Sequence, residues 1–299
     1  MCIRDRGFFG CMVQSNSIGS TIETAFGIPG WIVGVMLVVI CGFIFIGGTQ
    51  RLASVTEKLV PIMAVLYIVG GLVVLAMRIR YIPETFGMIF KYAFVPNAII
   101  GGGLGYALKT AISQGVKRGL FSNEAGMGST PHAHAMADVK NPHEQGVVAM
   151  IGVFIDTFVV LTMTALVVIS TLYAGDGILS SGAAEGVSKA NMAQLAFSSC
   201  FGSGLGSAFV AVCLLFFAFS TILSWNFFGK INVNYLFGKK AVTVYSVLAL
   251  VFIFLGSCLS NDLVWELADM FNQLMVIPNA IALVLLSGIV VKAACGEKK

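Results

Sequence analysis

Residues 31–48 and 59–77 each extend for the length of a membrane-crossing helix without one charged side chain. The hydrocarbon core of a bilayer, about 30 Å thick, takes about 20 apolar residues in helical form. Further apolar runs at 146–175, 209–228, 241–261 and 270–291, and a weaker one at 92–118, bring the expected spans to seven, with the end of another at 7–22. Inside hydrocarbon every backbone polar group needs an internal partner, so only helices or a closed barrel can cross. A barrel would alternate polar and apolar residues in segments of roughly ten, and these runs do not alternate. The expected fold is an all-α polytopic membrane protein. Charged residues make up 11% of the chain, against about 25% in soluble domains, so most of the surface has to face lipid. The formal charge of +4 is small and dispersed, which argues against nucleic acid as a partner.

Between the runs, Gly27-Ile28-Pro29-Gly30 reads as a turn and Arg51, Glu57 and Lys58 as a short loop. Residues 78–91 place Arg78, Arg80, Glu84 and Lys91 among aromatic residues, as a helix lying at the membrane surface would. Pro131 to Gln145 reads as a short helix and a polar loop, and 176–207 as a Gly/Ser/Ala-rich connection with a short helix near 189–198. Lys230, Lys239 and Lys240 flank a further loop, and Pro278 marks a kink in the last span. Lys and Arg number nine in the loops at 49–58, 130–145, 229–240 and 292–299, against four in the opposite ones. That excess places the C-terminus in the cytoplasm. The seven cysteines contain no C-x-x-C pair and read as small hydrophobes. Met-Cys-Ile-Arg-Asp-Arg sets three charges directly against Gly7-Phe8-Phe9-Gly10, which reads as helix interior, so residues 1–6 are taken as an adventitious lead-in.

The most unusual stretch is Gly119-Leu-Phe-Ser-Asn-Glu-Ala-Gly-Met-Gly-Ser129, which sets a carboxylate, an amide and two hydroxyls between apolar runs. Its three glycines weaken a helix and allow backbone geometry that other residues avoid. A spanning helix is expected to break here and to turn its backbone groups toward a ligand, because a membrane tolerates irregular backbone only in protein or around a cavity. Gln14, Asn16 and Ser17 share a polar face on the first helix. Asp156, beside Thr157, is the one charge within its span; it either pairs with a polar group on another helix, the favoured reading, or senses an ion. His132, His134 and His143 lack the spacing of a metal site, and Gly101-Gly102-Gly103 reads as close helix packing.

Gly115-Val-Lys-Arg-Gly-Leu-Phe-Ser-Asn-Glu-Ala-Gly-Met-Gly-Ser129, with Gln145-Gly146 and Gly152-Val-Phe-Ile-Asp-Thr157, resembles the alanine or glycine:cation symporter family. Met12-Val-Gln-Ser-Asn-Ser17, Phe217-Ala-Phe-Ser-Thr-Ile-Leu-Ser-Trp225 and Met275-Val-Ile-Pro-Asn279 are similar to it as well. The resemblance runs from about residue 7 to the end. It implies a leucine-transporter-like inverted-repeat bundle in the plasma membrane, importing alanine or glycine with sodium as coupling ion and no other cofactor. It does not imply an enzyme. The family's early broken helix carries a Gly-x-Gly-Asn-Ile motif with no counterpart here. Residues 1–299 are therefore expected to form one transmembrane domain lacking roughly three N-terminal helices.

The resemblance also implies a site. Ser122 to Gly128 would present a half-helix N-terminus to the substrate carboxylate. Phe121, Met127 and Trp225 would wall a small side chain, Asn123 and Glu124 would meet the ammonium group, and Gln14 would reach in from a neighbouring helix. Gly126 belongs to the same stretch. Ala218 and Thr221, with Ser220 in addition, would hold sodium, and Asp156 and Thr157 are buried polar candidates. The rival classes are a membrane enzyme that uses the histidines, a channel, and an inert fragment.

Overall fold

The structure, a computed structural model, describes residues 2–94, 104–180, 187–188 and 191–294, all of whose regular elements are helical. Cys2–Arg4 and a π-helical stretch, Asp5–Gly10, run straight into α1 (Cys11–Phe26), so the expected lead-in continues the first helix. Gly27, with φ of 69°, closes α1 in the left-handed conformation that glycine tolerates best. Then come α2 (Gly30–Ile46) and α3 (Gly48–Met77). Only Gly47 separates them, so Arg51, Glu57 and Lys58 lie within α3 rather than in a loop. A 3-10 turn, Ile79–Tyr81, leads to the amphipathic α4 (Ile82–Phe94) where a surface helix was expected. The Gly101–Gly103 run lies outside the described residues.

The second half opens with α5 (Leu104–Asn123) and the single turn α6 (Pro131–His134). α7 (Pro142–Phe154) passes through a π-helical stretch, Ile155–Leu161, into α8 (Thr162–Leu172). The connecting helix is α9 (Met192–Phe201), a little later than expected. α10 (Ser203–Phe237) and α11 (Lys239–Cys258) meet at Gly238, and α12 (Asn261–Ala294) continues through Pro278. The loop expected at 229–240 is therefore helix, and the Lys and Arg count treated parts of α3 and α10 as loops. Among the described residues, five helices are long and apolar enough to cross a membrane: Ser54–Met77, Pro142–Leu172, Ser203–Phe237, Lys239–Cys258 and Asn261–Lys292. Gly30–Ile46 is apolar but shorter, and Leu104–Asn123, which overlaps the weaker run expected at 92–118, falls outside that set.

The principal core joins α1, α2, α10 and α11 through Cys11, Ile18, Leu37, Ile222, Leu223 and Ile253. A side chain at Gly256 would collide with Ser15 and Met12, so α1 and α11 approach closely, as small residues permit between spanning helices. Asn16 secures the same seam, donating to Gly256 O and Leu259 O at 2.8 Å each and accepting from Asn261 Nδ2 at 3.1 Å. A second core, with Val74, Met163, Val167, Phe197 and Val210, joins α3, α8, α9 and α10. The broken stretch at 124–130 meets α10 through Glu124 and Trp225, and α12 through Gly126 and Asn279.

Candidate functional site

The helix breaks where the sequence indicates. α5 stops at Asn123, and Glu124 takes a φ of 49°, a left-handed conformation uncommon for a residue with a Cβ. Gly126 and Gly128 follow at 71° and 74°. Three left-handed residues within this short stretch turn the chain, and only one helical turn, α6, comes after it. Ser122 and Asn123 therefore sit on the last turn of a helix, not on its first. The expected N-terminus is a C-terminus, where bare carbonyls and the negative end of the dipole favour a cation over a carboxylate.

The π-helical stretch grips this last turn with two side chains. Ser122 Oγ donates to Asp156 Oδ2 at 3.2 Å, and Thr157 Oγ1 donates to Asn123 Oδ1 at 3.2 Å. From the other side Asn279 of α12 donates to Gly126 O at 2.8 Å. Glu124 is buried, and its carboxylate accepts from Trp225 Nε1 and Ser129 Oγ. Arg6 Nε lies 3.4 Å from the same carboxylate and 3.5 Å from Asp5. The Arg6 guanidinium also stacks 4.4 Å from the Trp225 ring and touches Met127 Sδ. Among the described residues, neither oxygen of Asp5 has a hydrogen-bond partner. Phe121 stands edge-on to Trp225 at 5.7 Å and against Trp265 at 5.2 Å.

These elements border an open cavity of about 350 Å³. The break contributes Ser122, Asn123, Glu124 and Thr130, α7 and its π-helical continuation contribute Gly152, Val153 and Asp156, and α10 contributes Ser220, Thr221, Ser224, Trp225 and Phe228. Of the residues singled out in the sequence, Ser122, Asn123, Glu124, Asp156, Ser220, Thr221 and Trp225 thus come together on one wall or another. Phe121, Gly126, Met127, Thr157 and Ala218 do not line it, and neither does Gln14, half-buried on α1. Thr130, Gly152, Val153, Ser224 and Phe228 were missed. Ser224 and Phe228 repeat the helical face of Ser220, and Gly152 lies one turn before Asp156, so face periodicity would have found them.

The polarity of the cavity follows from where its protons go. Thr221 and Ser220 donate to Phe217 O at 2.8 and 2.9 Å, and Ser224 donates to Ser220 O at 3.0 Å. A hydroxyl whose proton is committed to a carbonyl keeps its lone pairs for something else. With Ser122 donating to Asp156, four hydroxyl oxygens with committed protons, the Asp156 carboxylate and the Arg6-paired Glu124 surround one cavity. Such a site attracts cations, either a metal ion or an ammonium group.

The sequence profile of the sodium:alanine symporter family matches residues 1–296. The chain is 41% identical over 283 residues to the sodium/alanine symporter AgcS of Methanococcus maripaludis, an alignment covering 94% of this chain and 60% of that protein. It is 37% identical over 286 residues to the sodium/proton-dependent alanine carrier protein of Bacillus sp. strain PS3, covering 92% and 63%. It is 39% identical over 283 residues to the probable sodium/glutamine symporter GlnT of Bacillus subtilis, covering 94% and 56%. The chain spans about three-fifths of the length of these curated relatives. On this evidence the chain belongs to the sodium:alanine symporter family.

Proposed function

We propose that the protein is a sodium-coupled symporter of the plasma membrane that imports a small neutral amino acid, alanine or glycine, by alternating access, with its C-terminus in the cytoplasm. The observation that carries this reading is the acceptor-rich cavity at the break in α5, where lone pairs and carboxylates face a space suited to a small cationic group. The names of two of the relatives above point to alanine and sodium. Serine and threonine at 220 and 221, with the Ala218 carbonyl behind them, would hold sodium. Asn123 and Glu124 would meet the ammonium group, Phe121, Met127 and Trp225 would limit side-chain size, and Gln14, Gly126 and Thr157 would support the pocket. Entry of each sodium ion down its gradient contributes about 2.3 kcal/mol per 100 mV of membrane potential.

The test is uptake of labelled alanine by the full-length gene product in proteoliposomes under an imposed sodium gradient. Uptake that rises with the gradient and is competed by glycine is expected, and sodium-independent uptake overturns the reading. Thr221→Ala should raise the half-saturating sodium concentration by about tenfold, equivalent to about 1.4 kcal/mol. It should change alanine affinity at saturating sodium much less. An unaltered sodium response would remove Thr221 from the ion site.

A further inference from the structure

The proposed sodium ligands Ala218, Ser220 and Thr221 are all neutral, yet the cavity that Ser220 and Thr221 line contains two carboxylates with different partners. Glu124 is engaged on three sides, by Trp225 Nε1, by the Ser129 hydroxyl and by Arg6. Asp156 has one hydrogen-bond partner among the described residues, the Ser122 hydroxyl at 3.2 Å. A carboxylate in a spanning segment is costly unless a positive charge or hydrogen bonds compensate it. A single hydroxyl leaves most of its acceptor capacity open toward the cavity.

The backbone around Asp156 is also unusual. The residue sits in the first turn of the π-helical stretch Ile155–Leu161, and single π-helical turns inside α-helices collect at functional sites. The neighbouring Thr157 fixes the register by bonding to Asn123 Oδ1, so Asp156 is held opposite the C-terminal turn of α5. That turn supplies a helix end favourable to cations, and α10 supplies hydroxyl oxygens with committed protons. Carboxylate, hydroxyl and amide oxygens are hard donors suited to an alkali metal ion. One uncompensated carboxylate balances one monovalent charge.

We propose that Asp156 is a direct ligand of the coupling cation, binding it together with Ser122 and the hydroxyls of Ser220 and Thr221. The inference rests on the symport reading above and adds a charged ligand to an otherwise neutral set. It also separates the two carboxylates by role, with Glu124 holding the break in shape and Asp156 meeting the ion.

The experiment compares the parent, Asp156→Asn and Ser122→Ala as full-length proteins in proteoliposomes. It titrates sodium against alanine uptake and, in detergent, measures binding of radioactive sodium directly. Asp156→Asn is expected to raise half-saturating sodium at least about tenfold, with alanine affinity at saturating sodium within about threefold of the parent. Ser122→Ala, which keeps the carboxylate, is expected to raise it by about threefold and carries the test should Asp156→Asn not fold. Half-saturation within about twofold of the parent for the folded variants would reduce Asp156 to a structural partner of Ser122, with the symport reading intact. A parent that neither binds sodium nor responds to it overturns both.

Discussion

Gly126 and Gly128 share a left-handed backbone, φ 71° and 74°, but not their surroundings. Among the described residues a Cβ at Gly126 would meet nothing within 4 Å, whereas one at Gly128 would collide with the Asn279 carboxamide. Forcing an L-residue into that conformation costs roughly 1–2 kcal/mol. Gly126→Ala should therefore lower stability by about that amount, and Gly128→Ala by roughly a further 1–3 kcal/mol of overpacking, since Asn279 must also release Gly126 O. Thermal unfolding of the two variants in detergent measures the difference, and equal losses would contradict the seating of Asn279. The chemistry of this stretch was legible because ionisable residues stand out in apolar runs. Its polarity was not, since identical residues can end one helix or begin the next, and the outcome depends on the left-handed Glu124.

Two elements proved longer than their charge pattern suggested, at Arg51 and Lys230, and the same kind of contact recurs at Arg78. Arg51 donates to Phe43 O at 3.1 Å and Lys230 donates to Phe45 O at 3.1 Å, both near the C-terminal end of α2. Arg78, just past α3, donates to Ser170 O at 2.9 and 2.8 Å near the end of α8 and reaches Asp176 at 2.9 Å. Basic side chains thus bind carbonyls that helix ends leave without intrahelical partners. A charge in the sequence was read as a loop when it was the cap of a neighbouring helix, a relation between elements distant in the chain. The Arg78 tether has a pH signature. Its hydrogen bond holds the exposed Asp176 carboxyl below the usual carboxylate range. A depressed folded value means that the contribution is complete above the ordinary pKa of about 4 and is lost as pH falls through the folded value. Asp176→Asn should flatten the acid limb of thermal stability without altering the neutral plateau much, because an exposed pair is worth little. Arg78→Ala should cost about 1.5–3 kcal/mol at neutral pH through the lost carbonyl bonds. Parallel acid limbs in parent and Asp176→Asn would rule the pair out as their source.

Across the whole molecule, most of the spans and the family were legible from apolar runs and a few motifs, but the arrangement of cavities was not. A second cavity, of about 1350 Å³, opens among the ends of α2 and α3, α6, α10 and α11. It shares Ser224 and Phe228 with the smaller one, so a single layer of α10 side chains separates the two spaces. Phe228 is buried and is the larger member of that layer. Nothing in its local sequence distinguishes it from Phe227, which borders the larger cavity alone. The distinction comes from where α10 rests against α2, α11 and the break. With the small cavity as the solute site, removing the ring would join the two spaces and shorten the time a bound solute is retained. Phe228→Ala is therefore expected to speed dissociation of labelled alanine from the sodium-saturated protein by at least about tenfold, a change of about 1.4 kcal/mol in the barrier. The sodium dependence of binding should stay near the parent's, since no ion ligand has changed. Phe227→Ala removes the same ring from the same helix and should leave the rate nearly unchanged. Equal acceleration by both variants would attribute the effect to loosened packing of α10, and an unchanged rate in Phe228→Ala would show that the partition lies elsewhere.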